Sequence, residues 1–163
     1  TPTAWAARDL SGITEVRAGV YVFFDLMMAG LGVCTLDDIA LSVVATVIGH
    51  RPDRGWIMTD AGWTALSGDG GISKRPEDRH FGLVATRDGR LIDGLVVLDM
   101  TQEHGVLGMR PGSRRPLPDI AVGTALRILP VHACATAFQH GGYHVIDAAD
   151  GPVVAYWPRV RGW

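Results

Sequence analysis

The sequence predicts an all-β barrel or sandwich. Its apolar segments are short and rich in Val and Ile, turn residues cut them at close intervals, and no long stretch carries helical periodicity. Twenty-one glycines and nine prolines among 163 residues supply the tight connections. A chain of this length forms one domain with a proper hydrophobic core.

Residues 3 to 10 carry only a weak helical pattern. Gly19 opens Val20 to Phe24 as a strand. Thr35-Leu36-Asp37-Asp38 has the spacing of a helix capping box, yet Ile39 to Ile48 are apolar and β-branched enough to argue for a buried strand. Trp56 to Met58 form a short strand that ends at Asp60-Ala61-Gly62. Phe81 to Thr86 and Leu91 to Met100 flank Asp88-Gly89 and read as a hairpin. Thr124 to Ile128 alternate as a strand and run into Leu129-Pro130-Val131-His132-Ala133-Cys134. Tyr143 to Ile146 and Val153 to Trp157 form a second hairpin through Asp150-Gly151.

A formal charge of −2 gives no electrostatic basis for binding nucleic acid or an anionic membrane. No apolar run reaches the roughly twenty residues of a spanning helix. The basic cluster from Arg110 to Arg115 contains Pro and Gly but no aromatic residue, and reads as a solvated turn. Cys34 and Cys134 are too few for a disulfide framework and point to a reducing, cytoplasmic compartment. The chain starts at Thr1, and no secretory signal is visible in it.

The chemistry concentrates in a few places. On an extended chain, residues two apart face the same side, so His132 and Cys134 converge at a strand end. Imidazole and thiolate both ligate a borderline-soft cation such as zinc. Two protein ligands suit an open, catalytic position; the other reading is a buried thiol beside a satisfied histidine. Thr101-Gln102-Glu103-His104-Gly105 gathers amide, carboxylate and imidazole, or is simply a polar loop. Glu15 and Arg17 pair ahead of Gly19 and Tyr21, and Asp60 caps a turn. The single lysine, Lys74, lies in a polar stretch from Asp69 to Arg79. A Schiff-base lysine needs a desolvated pocket. Any carbonyl–amine chemistry therefore draws its lysine from another chain.

Taken together and in this order, these segments resemble the C-terminal half of the D-serine dehydratase-like family, which includes D-threonine aldolases and 3-hydroxy-D-aspartate dehydratases. The likeness runs on through Tyr143-His144-Val145 to Tyr156-Trp157-Pro158-Arg159. It implies the barrel-like C-terminal domain of an alanine-racemase-like enzyme, residues 16–163, preceded by residues 1–15 as the tail of an α/β barrel. Thr1-Pro2-Thr3-Ala4 resembles the end of the family's phosphate-binding loop. Thr1, Thr3 and Tyr21 are thereby implied near pyridoxal 5′-phosphate. The family's metal pair falls on His132 and Cys134. Gln102, Glu103 and His104 are implied near the same site, to orient bound water or hold a ligand in place; for them a loop hydrogen bond is an equal reading, as barrel packing is for Tyr21.

The implied activity is zinc-assisted pyridoxal chemistry that eliminates the β-hydroxyl of a D-amino acid, giving a keto acid and ammonia. Retro-aldol cleavage to glycine and an aldehyde is the near alternative, and a non-catalytic binding or assembly module the distant one. A thiol as second ligand leans toward the dehydratases. The implied partners are an N-terminal α/β-barrel half carrying the lysine, supplied by another chain or lost by cleavage or truncation, and a second copy in a homodimer.

Overall fold

The computed structural model describes residues 9–17, 19–70 and 80–160. Thr1, Thr3, Lys74 and most of the weak helical pattern at residues 3 to 10 lie outside the described residues. Within them the strands are β1 (Val43–Arg51), β2 (Trp56–Thr59), β3 (Gly82–Thr86), β4 (Leu91–Met100), β5 (Gly105–Met109), β6 (Ala125–Pro130), β7 (Gly142–Ile146) and β8 (Val153–Pro158). Three short helices join them: α1 (Leu26–Gly30), α2 (Trp63–Leu66) and α3 (Ala133–Gln139).

Of the two predicted all-β forms, the barrel is the one adopted. Strands β1 to β6 close in the order β1-β2-β5-β4-β3-β6, and every neighbouring pair is antiparallel. Closure leaves no open sheet edge in this body. Alternation along each strand sets the inside: Val43, Ala45 and Val47 are buried, while Val44 between them is exposed. With Ile57, Val84, Leu95, Val97, Leu107 and Ile128 they fill the interior. Each fully buried aliphatic side chain contributes about 1.5–3 kcal/mol. Strands β7 and β8 pair as a separate two-stranded sheet, the second predicted hairpin.

The predicted hairpin of β3 and β4 forms, with Gly89 at φ 87° in its turn. The two readings of residues 35 to 48 both hold, one after the other. Thr35 N–H donates to Asp38 Oδ2 at 2.8 Å, capping a 3-10 turn at Leu36–Asp38, and the strand follows from Val43.

Two expectations fail. Val20 to Phe24 do not form a strand: Val20–Val22 is a 3-10 turn and Phe24 has φ 52°. The left-handed residue breaks any extended run, and Asp25 behind it starts a helix by capping α1. Nor does the strand carry through His132 to Cys134. β6 stops at Pro130, His132 is the N-cap of α3, and Cys134 lies in that helix's first turn.

Candidate metal centre

His132 has extended backbone angles, φ −131° and ψ 102°, and its carbonyl accepts the N–H of Thr136 at 3.1 Å, starting α3. The helix is held against the barrel end by polar contacts to α2. Buried Thr136 donates its hydroxyl to the Leu66 carbonyl at 2.7 Å, and His140 Nε2 lies 2.9 Å from the Ala65 carbonyl. These bonds seat the loop that carries His132 and Cys134 on a rigid support.

The His132 ring is oriented by a carboxylate. Its Nδ1 lies 2.6 Å from Asp69 Oδ2, both side chains being about one-third exposed (32% and 40%). With Nδ1 so engaged, Nε2 is the nitrogen left to ligate, an arrangement typical of metal-binding histidines. Asp69 follows α2 in sequence. Cys134 is a free thiol and is exposed. Partial burial pushes its pKa above the ordinary 9.0, and the nearby Asp25 carboxylate adds to the rise. Without a cation beside it the group is therefore a thiol at neutral pH and a poor nucleophile. A bound divalent ion would drive its ionisation.

This donor set fits a metal held by one imidazole and one thiolate with further positions open. Among the described residues, no three His, Cys, Asp or Glu side chains gather within ligating reach, so closed four-ligand coordination does not arise from them. Among the described residues there is no lysine to anchor pyridoxal phosphate covalently. The only lysine is Lys74, outside the described residues. Tyr21, implied near the cofactor phosphate, is 49% exposed on the 3-10 turn before α1.

Gln102, Glu103 and His104 form the exposed turn between β4 and β5. Their hydrogen bonds run to α2 and among themselves. Thr64 Oγ1 donates to the Gln102 carbonyl at 2.8 Å, and Trp63 N–H donates to the Thr101 carbonyl at 3.0 Å. Gly62 is required here, because a Cβ would collide with the carbonyls of Thr101 and Gln102. Helix α2 thus lies between this turn and α3: the turn reaches the His132 loop through a helix. Asp60 is structural, accepting the Thr46 N–H on Oδ1 at 2.6 Å.

Two features escaped the sequence. One is Asp25, 1% exposed, which caps α1 and also accepts an N–H from α3. Its only local signal is an acidic residue ahead of Leu26-Met27-Met28-Ala29, a possible N-cap; its second partner is 108 residues away. The other is a cavity of about 700 Å³ beside α1, lined by Leu26, Leu31, Leu83, Val131, His80 and Arg110. Arg110 belongs to the basic cluster read as a solvated turn, yet its Nε is buried and without a hydrogen-bond partner among the described residues. Arg115 does stay outside, paired with Asp93 at 2.6 Å.

Residues 40–146 match the family model described as a serine dehydratase domain. D-threo-3-hydroxyaspartate dehydratase of Delftia sp. is 52% identical over 167 residues, covering all of this chain and 43% of that protein. D-serine dehydratase of Dictyostelium discoideum is 32% identical, covering 91% of this chain and 37% of that protein. D-threonine aldolase of Arthrobacter sp. is 31% identical over 90% of this chain. The chain therefore spans less than half the length of these relatives.

Solved structures of D-threo-3-hydroxyaspartate dehydratase superpose with TM-scores of 0.88 for a histidine-to-alanine variant and 0.86 for a cysteine-to-alanine variant in the metal-free form. They cover all of this chain and 42% and 43% of theirs, at 50% and 49% identity. The two altered residues of that enzyme are two positions apart, the spacing of His132 and Cys134. Among the described residues, no helix is long and apolar enough to cross a membrane.

Proposed function

The chain belongs to the serine dehydratase domain family, and from that premise we propose that it is the metal-binding part of a pyridoxal phosphate- and zinc-dependent dehydratase acting on a β-hydroxy D-amino acid. The products are a keto acid and ammonia. The observation that carries this reading is the His132–Asp69 hydrogen bond beside an exposed Cys134 thiol: a histidine oriented through Nδ1, with a soft ligand two residues on. A relative whose altered histidine and cysteine have this spacing, and which is described as having a metal-free form, supports the same assignment.

Zinc bound there would act as a Lewis acid on the substrate oxygen that departs. The work of this chain's own residues is to build that position. Asp69 fixes the His132 ring and its tautomer. Cys134 gives up its proton on binding and contributes a negative charge. Thr136 and His140 hold α3 so that the two ligands keep their spacing. The single lysine, Lys74, lies in a polar stretch unlike the desolvated pocket a Schiff base needs, so in this reading the anchoring lysine comes from outside this chain. The N-terminal α/β-barrel half that carries it is the proposed partner, within a homodimer, and the exposed Val153, Val154, Tyr156 and Trp157 of β8 support an apolar partner surface. Tyr21, Thr1 and Thr3 are proposed near the cofactor phosphate, and Gln102, Glu103 and His104 near the substrate side of the metal.

The 31% identity to a D-threonine aldolase favours one second reading, retro-aldol cleavage. The two separate in one experiment on the full protein. D-serine, 3-hydroxy-D-aspartate and D-threonine are each supplied, and products and bound metal are measured for the parent, His132→Ala and Cys134→Ala. The expected result is keto acid and ammonia from the parent, with metal and turnover lost together in both variants. Glycine and an aldehyde as main products would replace the dehydratase with the aldolase. A parent with neither metal nor turnover would leave a binding or assembly module.

A further inference from the structure

Asp25 is a carboxylate buried to 1% exposure that forms no ion pair among the described residues. Burying such a group without a counter-charge is costly unless hydrogen bonds replace its water. Two backbone amides do so. Oδ1 accepts the N–H of Met28 at 2.9 Å, and Oδ2 accepts the N–H of Ala133 at 2.9 Å. The first bond is an ordinary N-cap of α1. The second reaches 108 residues along the chain to the residue between His132 and Cys134. A second link lies on the other side of the histidine, where the Val131 carbonyl accepts the N–H of Met27 at 3.2 Å. The backbone is thus gripped by α1 immediately before and immediately after His132.

An N-cap alone does not call for a buried carboxylate. Serine or threonine would cap α1 and carry no charge into the interior. A neutral asparagine could accept only one of the two amides, and its NH₂ would face the other N–H, donor against donor. Accepting both at once requires two acceptor oxygens on one planar group. The residue type therefore matches the double task. We infer that Asp25 is a positioning residue for the metal ligands, its carboxylate clasping α1 to the Ala133 amide and so fixing the spacing and direction of His132 and Cys134.

This role rests on the metal assignment proposed above, and the test keeps the two apart. In the full protein, zinc affinity is measured by competition with a chelating dye. The thiolate charge-transfer absorption of the cobalt(II) form reports on Cys134 directly. Asp25→Ser retains an oxygen to cap α1 but is too short to reach Ala133; Asp25→Asn is near-isosteric and loses one of the two acceptors. Ile57→Val, in the barrel interior, serves as a control for lost stability alone. Zinc binding is expected to weaken about tenfold to a hundredfold in both Asp25 variants, as for other groups that orient metal ligands. The cobalt absorption should weaken or shift, and Ile57→Val should bind zinc as the parent does.

Affinity within twofold of the parent in a folded Asp25 variant would overturn the inference and leave Asp25 as a helix cap. A parent that binds no zinc removes the metal assignment itself, and this role with it. Should neither variant accumulate folded, hydrogen exchange in the parent decides. Zinc should slow exchange of the Ala133 amide more than that of the Thr59 amide in the barrel; equal slowing overturns the clasp.

Discussion

Replacing Asp69 with alanine separates metal binding from folding. Asp69 and His132 are 40% and 32% exposed, so their pairing at 2.6 Å is screened by solvent. Its loss should cost the fold less than about 1 kcal/mol. The same hydrogen bond selects which imidazole nitrogen faces a metal, and removing such a partner weakens metal binding about tenfold to a hundredfold. That is about 1.4–2.7 kcal/mol of binding free energy. Asp69→Asn keeps a neutral acceptor for Nδ1–H and should fall at the lower end. Urea melts and zinc competition on the full protein give both quantities from one preparation. A zinc affinity within twofold of the parent in Asp69→Ala, with the parent binding zinc, would refute the reasoning. So would a loss of stability large enough to account for the binding defect.

Zinc affinity should rise with pH, because the Cys134 thiol, whose pKa lies above 9.0, must lose its proton to bind. The slope is about tenfold per pH unit between about pH 7 and 8.5, and Cys134→Ala should flatten it in dye competition. In the metal-free protein the sign reverses: the raised thiol pKa contributes stability below pH 9.0 that is lost as pH climbs through the folded value, seen as a falling melting temperature. Leu107→Ala, at a fully buried barrel position, should cost about 2–5 kcal/mol in urea unfolding. Thr136→Val leaves the Leu66 carbonyl without its hydroxyl donor and should cost about 1–3 kcal/mol by the same measurement.

The barrel was legible because its signals are local. The β-branched run within Ile39 to Ile48 marks β1, and Asp88-Gly89 gives a turn, with no knowledge of the rest of the chain. The face of β1 is not local: Val43, Val44 and Ala45 are all apolar, and only barrel closure turns Val44 outward. The elements that went unread are those whose causes lie far away. Helix α1 has five residues, α2 four and α3 seven. Pieces so short cannot nucleate on propensity and persist only by tertiary bonds, here to Val131, Thr101, Gln102 and Leu66. Val20 to Phe24 have the composition of a strand, but β-propensity describes a residue that fits a pleated surface, and among the described residues no neighbouring strand receives it.

The proposed metal pair shows how a residue pattern and its geometry can part ways. The chemistry of His132 and Cys134 is legible in the sequence, where extended spacing predicts that they meet on one side of a strand. The actual arrangement is an N-cap and a residue of the first helical turn. There the side-chain directions are set by how the helix is started, not by a pleat. That shifts the control of the site from β6 to the groups holding the start of α3. Those groups are Asp25 ahead of α1, Asp69 behind α2, and Leu66 within α2. None is in a barrel strand. The closed barrel supplies a stiff rim, and the proposed ligands sit on connections anchored to it. There the half-exposed Asp69 can set ligand direction without disturbing the core, while the buried Asp25 serves both ligand direction and the fold. Substitutions that weaken the proposed metal site while sparing the fold should therefore fall at Asp69, those at Asp25 should affect both, and those that only unfold the protein should cluster inside the strands.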